Sequence, residues 1–211
     1  TFREAKRCDE LYPQIPFVVL TPFSREVSRR LANEDFSGVD YVFSWLGNVD
    51  LLLAIIKLIE DKMNADNDVL EVGLQTIILV EDSVRFYSSV LPHLYKYLLK
   101  QSLIFSTEAL NEHEQMLRMR ARPKVLLART YEEAMSLYDK YQNNILGVIT
   151  DVSFSINGAK EKLAGIKLAR EIRSRDPYVP IIIESSETCN EEHAKGMGAS
   201  VLDKKSKKFV V

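Results

Sequence analysis

Apolar residues in this chain fall into short runs separated by polar, amphipathic stretches. Ile15–Leu20 (IPFVVL), Tyr41–Phe43, Ile77–Val80 (IILV), Val125–Ala128, Leu146–Thr150, Pro180–Ile183 and Val201-Leu202 are the runs. Their shortness and β-branched content predict buried strands. The stretches between them predict helices. Residues 1–11 read as the end of one, broken by Pro13 and Pro16. Ser24 to Asn33 is polar, and Val49–Met63 is strongly apolar with Asn48 as its cap. A helix opens at Ser83 with Pro92 inside it, and 100–122 reads as polar helix with a basic end. Thr130 and Glu133 form a capping box for a helix that sets Tyr131, Ala134, Met135 and Tyr138 on one face. A loop follows Asp151 to about Gly165. Further helices run to Arg173 and over Asn190–Gly196. Asn64–Asp68 (NADND) reads as a linker with nothing to bury.

Strands alternating with helices imply a parallel sheet covered on both faces, an α/β doubly wound fold. The alternation occurs twice. A short series occupies 1–66, the linker is bounded at 67–74, and a longer series runs over 75–211. In such folds ligands bind beyond the carboxyl ends of the strands. In the second series those ends carry Glu81-Asp82, Asp151, Ser185 and Lys204.

Converging carboxylates repel one another and call for a cation. Oxygen ligands without His or Cys favour Mg²⁺, which keeps waters and takes up phosphate oxygens. A lysine and a hydroxyl at the same edge suit a phosphoryl group, and a carboxylate can itself be the nucleophile. The set reads as an Mg²⁺-dependent phospho-aspartate site. Each residue also has a plainer reading: an acidic pair before a helix can be a dipole-favoured cap. Lys204 sits in a basic run (KKSKK), Ser185-Ser186 can be a turn pair, and Arg118–Lys124 can be an exposed helix face. His93, His113 and His193 have no ligand spacing, and Trp45 reads as packing.

The motifs IILVEDS (77–83), GVITD (147–151), VPIIIESS (179–186) and GASVLDKKS (198–206) resemble those of bacterial two-component response-regulator receiver domains. That resemblance implies a five-stranded flavodoxin-like sheet, with Mg²⁺ held by Glu81, Asp82, Asp151 and the backbone carbonyl of Ser153. It implies Asp151 as phospho-acceptor, Ser185 as switch hydroxyl and Lys204 as the lysine that pairs with the phosphoryl group. Counting from Gly198-Ala199 instead favours Lys205. Val201 stands where the family has an aromatic switch, and the connections after Ser83 and Asp151 are longer than usual. PQIPFVVLTPFS (13–24) and GVDYVFSWLGN (38–48) resemble the second half of another receiver, with Thr21 at the hydroxyl and Trp45 in place of the lysine. The chain thus resembles tandem receivers, the first truncated and degenerate and the second without its last helix. The pattern, including the long first crossover, is similar to that of receiver pairs preceding phosphoenolpyruvate-synthase-like enzymes.

Composition narrows the partners. Lys+Arg is 28 against Asp+Glu 30, for a net charge of -2, which argues against a nucleic-acid binder. Two cysteines, Cys8 and Cys189, make no disulfide scaffold, and no apolar run is long enough to span a membrane. The setting expected is cytoplasmic, the partner a histidine kinase or phosphotransfer protein. The Leu51–Ile59 helix is core, or the face of a homodimer. The function expected is phosphoryl acceptance with conformational output, a regulatory rather than enzymatic role. The competing reading is a pseudo-receiver that docks or dimerises without phosphorylation. An aspartyl-nucleophile phosphohydrolase would, by family pattern, carry a second Asp where Ser153 stands. No G-x-x-x-x-G-K-[ST] loop for a nucleotide is present.

Overall fold

The apolar run Thr76–Val80 forms β3, the centre of a parallel sheet in which every side chain of the strand is buried. A computed structural model describes residues 2–22, 38–45, 47–107, 109, 111–114, 116, 121–185 and 198–204. In chain order the elements are α1 (Phe2–Leu11), β1 (Val18–Thr21), β2 (Tyr41–Ser44), α2 (Asp50–Ala65), β3, α3 (Val84–Thr107) and β4 (Lys124–Ala128). They continue with α4 (Tyr131–Tyr141), β5 (Ile145–Asp151), β6 (Phe154–Ile156), β7 (Ala159–Glu161), α5 (Ala164–Arg175), β8 (Ile181–Ser185) and β9 (Ser200–Asp203). The main sheet has the order β4-β3-β5-β8-β9, and every adjacent pair is parallel. Numbered from β3, the five-strand order is 2-1-3-4-5, the flavodoxin-like doubly wound order. β1 and β2 form a separate parallel pair.

Helices cover both faces, as two-sided apolar strands require. On one face α4 and α5 pack through Ala134, Tyr138, Ile166, Leu168 and Ile172 onto Ile78, Val80, Val148, Ile181 and Ile183. On the other, α2 and α3 pack through Leu51, Ile55, Leu58, Tyr87, Leu91 and Tyr95 onto Ile77, Leu79, Val125 and Leu127. β2 joins the same cluster through Tyr41, Val42 and Phe43. The first series is therefore not a free-standing unit: its helix and inner strand share a hydrophobic core with the second. Tyr87 on α3 donates its hydroxyl to the Val42 carbonyl, and Ser88 accepts from the Ser44 backbone N–H at 2.9 Å.

Several local readings of the sequence are corrected. The polar run Asn64–Asp68 is not an unburdened linker. The chain continues α2 into a π-helical turn, Asp66–Glu71, and buries Ala65 and Val69 against Leu126 and Tyr141. This turn wraps the open edge of β4, which is why all five residues of an edge strand are buried. The connection after Asp151 holds a hairpin, β6–β7, turning through Asn157 and Gly158 at positive φ. The long helix ends at Thr107 and includes Pro92. Arg122 and Lys124 are buried, not on an exposed helix face; Arg118 and Arg120 lie outside the described residues. The strand expected from Ile15 begins at Val18, and α5 extends to Arg175. Ser24–Asn33, Asn190–Gly196, Ser186, His193 and Lys205 also lie outside the described residues.

Other expectations hold. Thr130 Oγ1 accepts from the Glu133 N–H at 3.2 Å, while Glu133 reaches back one residue further, to the Arg129 N–H. Asn48 Oδ1 accepts from the Asp50 N–H at the start of α2. Trp45 packs partly buried against the shared core, and His93 and His113 are exposed. Among the described residues no helix is long and apolar enough to cross a membrane.

Candidate metal and phosphoryl site

The parallel order sends β3, β5, β8 and β9 to one end of the sheet, and the residues at or just beyond their carboxyl ends meet there. Glu81 and Asp82 follow β3, Asp151 and Ser185 are the last residues of β5 and β8, and Lys204 follows β9. Each is held by backbone that continues the sheet. The Glu81 N–H donates to the Ala128 carbonyl, the Val152 N–H to Glu184 and the Lys204 N–H to Ser185. Gly165 lets α5 approach this end. A Cβ there would lie 2.0 Å from the Asp151 carbonyl oxygen, closer than any side chain can sit.

Carboxylate oxygens of Glu81, Asp82 and Asp151 lie within 4.8 Å of one another, an arrangement that can hold a metal ion. Lys204 Nζ stands 2.6 Å from Glu81 Oε2 and 2.8 Å from Asp151 Oδ1, and 3.7 Å from the centre of the Phe86 ring. The ammonium thus lies on the face of that ring as well as against the two carboxylates. Burial works against the charge of Lys204, but Glu81 and Asp151 outweigh it and hold its pKa above the usual lysine value. Glu81 is pushed up to about 7, chiefly by burial, with Lys204 opposing and Asp151 adding. Its Oε1 accepts from the Ser83 N–H at 2.9 Å, which orients the carboxylate. Buried oxygens in excess of nearby cations, with no nitrogen or sulfur ligand among them, fit a hard divalent ion such as Mg²⁺.

Of the residues singled out in the sequence, Glu81, Asp82, Asp151 and Lys204 are thus brought together. Ser185 is buried at the neighbouring strand end, and Ser153 lies in the partly buried turn between β5 and β6. Two more residues belong to the neighbourhood. Lys160 of β7 reaches Asp82 Oδ2 at 2.5 Å. Nothing in its local pattern announces this, because the contact spans 78 residues of sequence. Glu184 is buried beside the cluster, pushed up to about 7 by burial, with Lys204 opposing and the charges of Glu81 and Asp151 adding. Its Oε2 has no hydrogen-bond partner among the described residues. A signal for Glu184 exists: it is a charged residue inside an otherwise apolar strand, IIIES.

No family model and no curated protein matches the sequence. Among solved structures, the chain is similar to the chemotaxis response regulator CheY4 of Vibrio cholerae, at 17% identity and TM-score 0.40 over 65% of this chain and 92% of that one. It is similar also to a response regulator receiver domain protein of Clostridium thermocellum, at 21% identity and TM-score 0.39 over 65% and 87%. The fold assignment rests on the sheet order and the all-parallel pairing described above.

Proposed function

We propose that residues 75–211 act as a phosphorelay receiver that accepts a phosphoryl group on Asp151. The observation that carries this reading is the meeting of Glu81, Asp82 and Asp151 within 4.8 Å, with Lys204 Nζ at 2.8 Å from Asp151. Glu81, Asp82, Asp151 and the Ser153 carbonyl would hold Mg²⁺, which when bound neutralises carboxylate and phosphoryl charge. The Asp151 carboxylate oxygen attacks phosphorus as the bond to the donor's leaving group breaks, and the leaving group keeps that electron pair. With a phosphohistidine donor protonated on its other ring nitrogen, from a histidine kinase or phosphotransfer protein, the product is an acyl phosphate and a neutral imidazole. Lys204 pairs with Asp151 beforehand and with a phosphoryl oxygen afterwards. The Ser185 hydroxyl donates to another phosphoryl oxygen. The added charge, about -2, biases the surrounding loops between two arrangements that a partner distinguishes. The role is regulatory.

Residues 1–66 are read, within the same proposal, as the second half of a degenerate receiver-like unit, with Thr21 and Trp45 at the places of hydroxyl and lysine. Support comes from the parallel β1–β2 pair followed by α2. The test is intact mass after incubation with a small-molecule phosphodonor and Mg²⁺, beside Asp151→Asn. One labile phosphoryl adduct on the wild type alone is expected. No adduct on a folded wild-type chain would leave a docking module instead.

A further inference from the structure

Lys204 accounts for Glu81 and Asp151, but Asp82 is answered by a different cation. Lys160 comes from the β6–β7 hairpin, and its Nζ lies 2.5 Å from Asp82 Oδ2. The hairpin is anchored along its length. Phe154 is fully buried in the core under α5, and Ser155 bridges to Thr130. The Asn157 N–H donates to Glu132 at 2.8 Å, and Glu161 pairs with Lys167 of α5 at 3.0 Å. Only the side chain of Lys160 is then free to move, and it is 56% exposed. An ammonium and a divalent cation held by the same carboxylate repel each other, so each weakens the other's hold on it.

We propose that Lys160 is a built-in competitor for the metal: it holds Asp82 until a divalent cation displaces it. This rests on the reading of the acidic cluster as an Mg²⁺ site. Displacement costs the Lys160–Asp82 contact, and the site binds metal more weakly than its carboxylates alone would.

The test is calorimetric titration of the whole chain with Mg²⁺, for the wild type, Lys160→Met and Asp82→Asn. Lys160→Met keeps the apolar stem at an exposed position. An exposed pair of this kind corresponds to about two- to fivefold in binding, so Lys160→Met is expected to bind Mg²⁺ about two- to fivefold more tightly than wild type. Equal or weaker Mg²⁺ binding by Lys160→Met would overturn the competitor role while leaving the metal site standing. Absence of Mg²⁺ binding in both wild type and Lys160→Met would overturn the metal site itself, and the competitor role with it.

Discussion

Two charge clusters sit in this molecule, one buried and one at the partly open end of the sheet, and they are built on opposite rules. The first surrounds Asp61 of α2, which is 0% exposed. Its carboxylate accepts from Arg122 at 2.7 and 2.9 Å, from the Tyr95 hydroxyl at 2.9 Å and from the Val125 N–H at 2.9 Å. Lys124 Nζ lies a further 3.9 Å away and pairs more closely with Asp68. Burial opposes the charge of Arg122, and the bonds to Asp61 outweigh it, so its pKa is raised. The Val125 N–H belongs to the edge strand β4 and points away from β3, so Asp61 also satisfies a sheet edge. The second cluster, at the strand ends, reverses the proportion. Glu81, Asp82, Asp151 and Glu184 outnumber Lys160 and Lys204, and a Glu184 oxygen is left without a partner among the described residues. A saturated carboxylate welds α2 to the sheet. An excess of carboxylates stores electrostatic repulsion that an added cation relieves.

The sharpest way to break the contrast is to remove the saturated carboxylate. Asp61→Ala strands Arg122 in a buried site and leaves an edge N–H unpaired, so it is expected to destabilise the fold by about 3–5 kcal/mol. Urea unfolding checks this. A loss below about 1 kcal/mol would mean that water already reaches Arg122, and the two clusters would no longer differ in kind.

Acid–base behaviour comes next in size. Glu81 and Glu184 stand at about 7 in the fold against an ordinary 4.5, so between those values the folded chain holds more protons than the unfolded one. Their contribution to stability is then fully present below about 4.5 and is lost as pH rises through about 7, by about 3 kcal/mol for one such group. Urea midpoints at pH 5 and pH 8 measure the slope, and millimolar Mg²⁺ is expected to flatten it by favouring the ionised carboxylates. Stability that rises over this interval would reverse the assignment of strain to the strand-end cluster.

A smaller effect sharpens the same point. Glu184→Val removes a buried carboxylate with one unpartnered oxygen from an apolar strand and is expected to stabilise the chain at pH 8 by about 1–3 kcal/mol, less at pH 5. Thermal unfolding at both pH values reads it. Destabilisation at pH 8 would show that Glu184 is paired in solution, and the cluster less strained than its geometry indicates.

Most of the fold was legible in the chain because its determinants are local. A buried parallel strand must be a short apolar run, and the runs at 77–80, 125–128 and 146–150 fall inside β3, β4 and β5. The amphipathic spacing of Ala134 and Tyr138 marked the buried face of α4, and both pack in the core. The strand-end position of Glu81, Asp82, Asp151 and Lys204 followed from the alternation of elements, because parallel strands deliver their last residues to one edge. Composition misread Asn64–Asp68, where polar side chains face outward while Val69 closes over the β4 edge. It also misread Arg122 and Lys124 as surface, because their partner Asp61 is some sixty residues earlier: the separation is 61 for Arg122. What only the tertiary structure decided is which charges meet. Lys160 reaches Asp82 across 78 residues, and Lys204 reaches Glu81 across 123. Periodicity records which way a side chain faces within its own element. A pairing between distant charges leaves no such trace, because it depends on where the packed core brings two separate elements together.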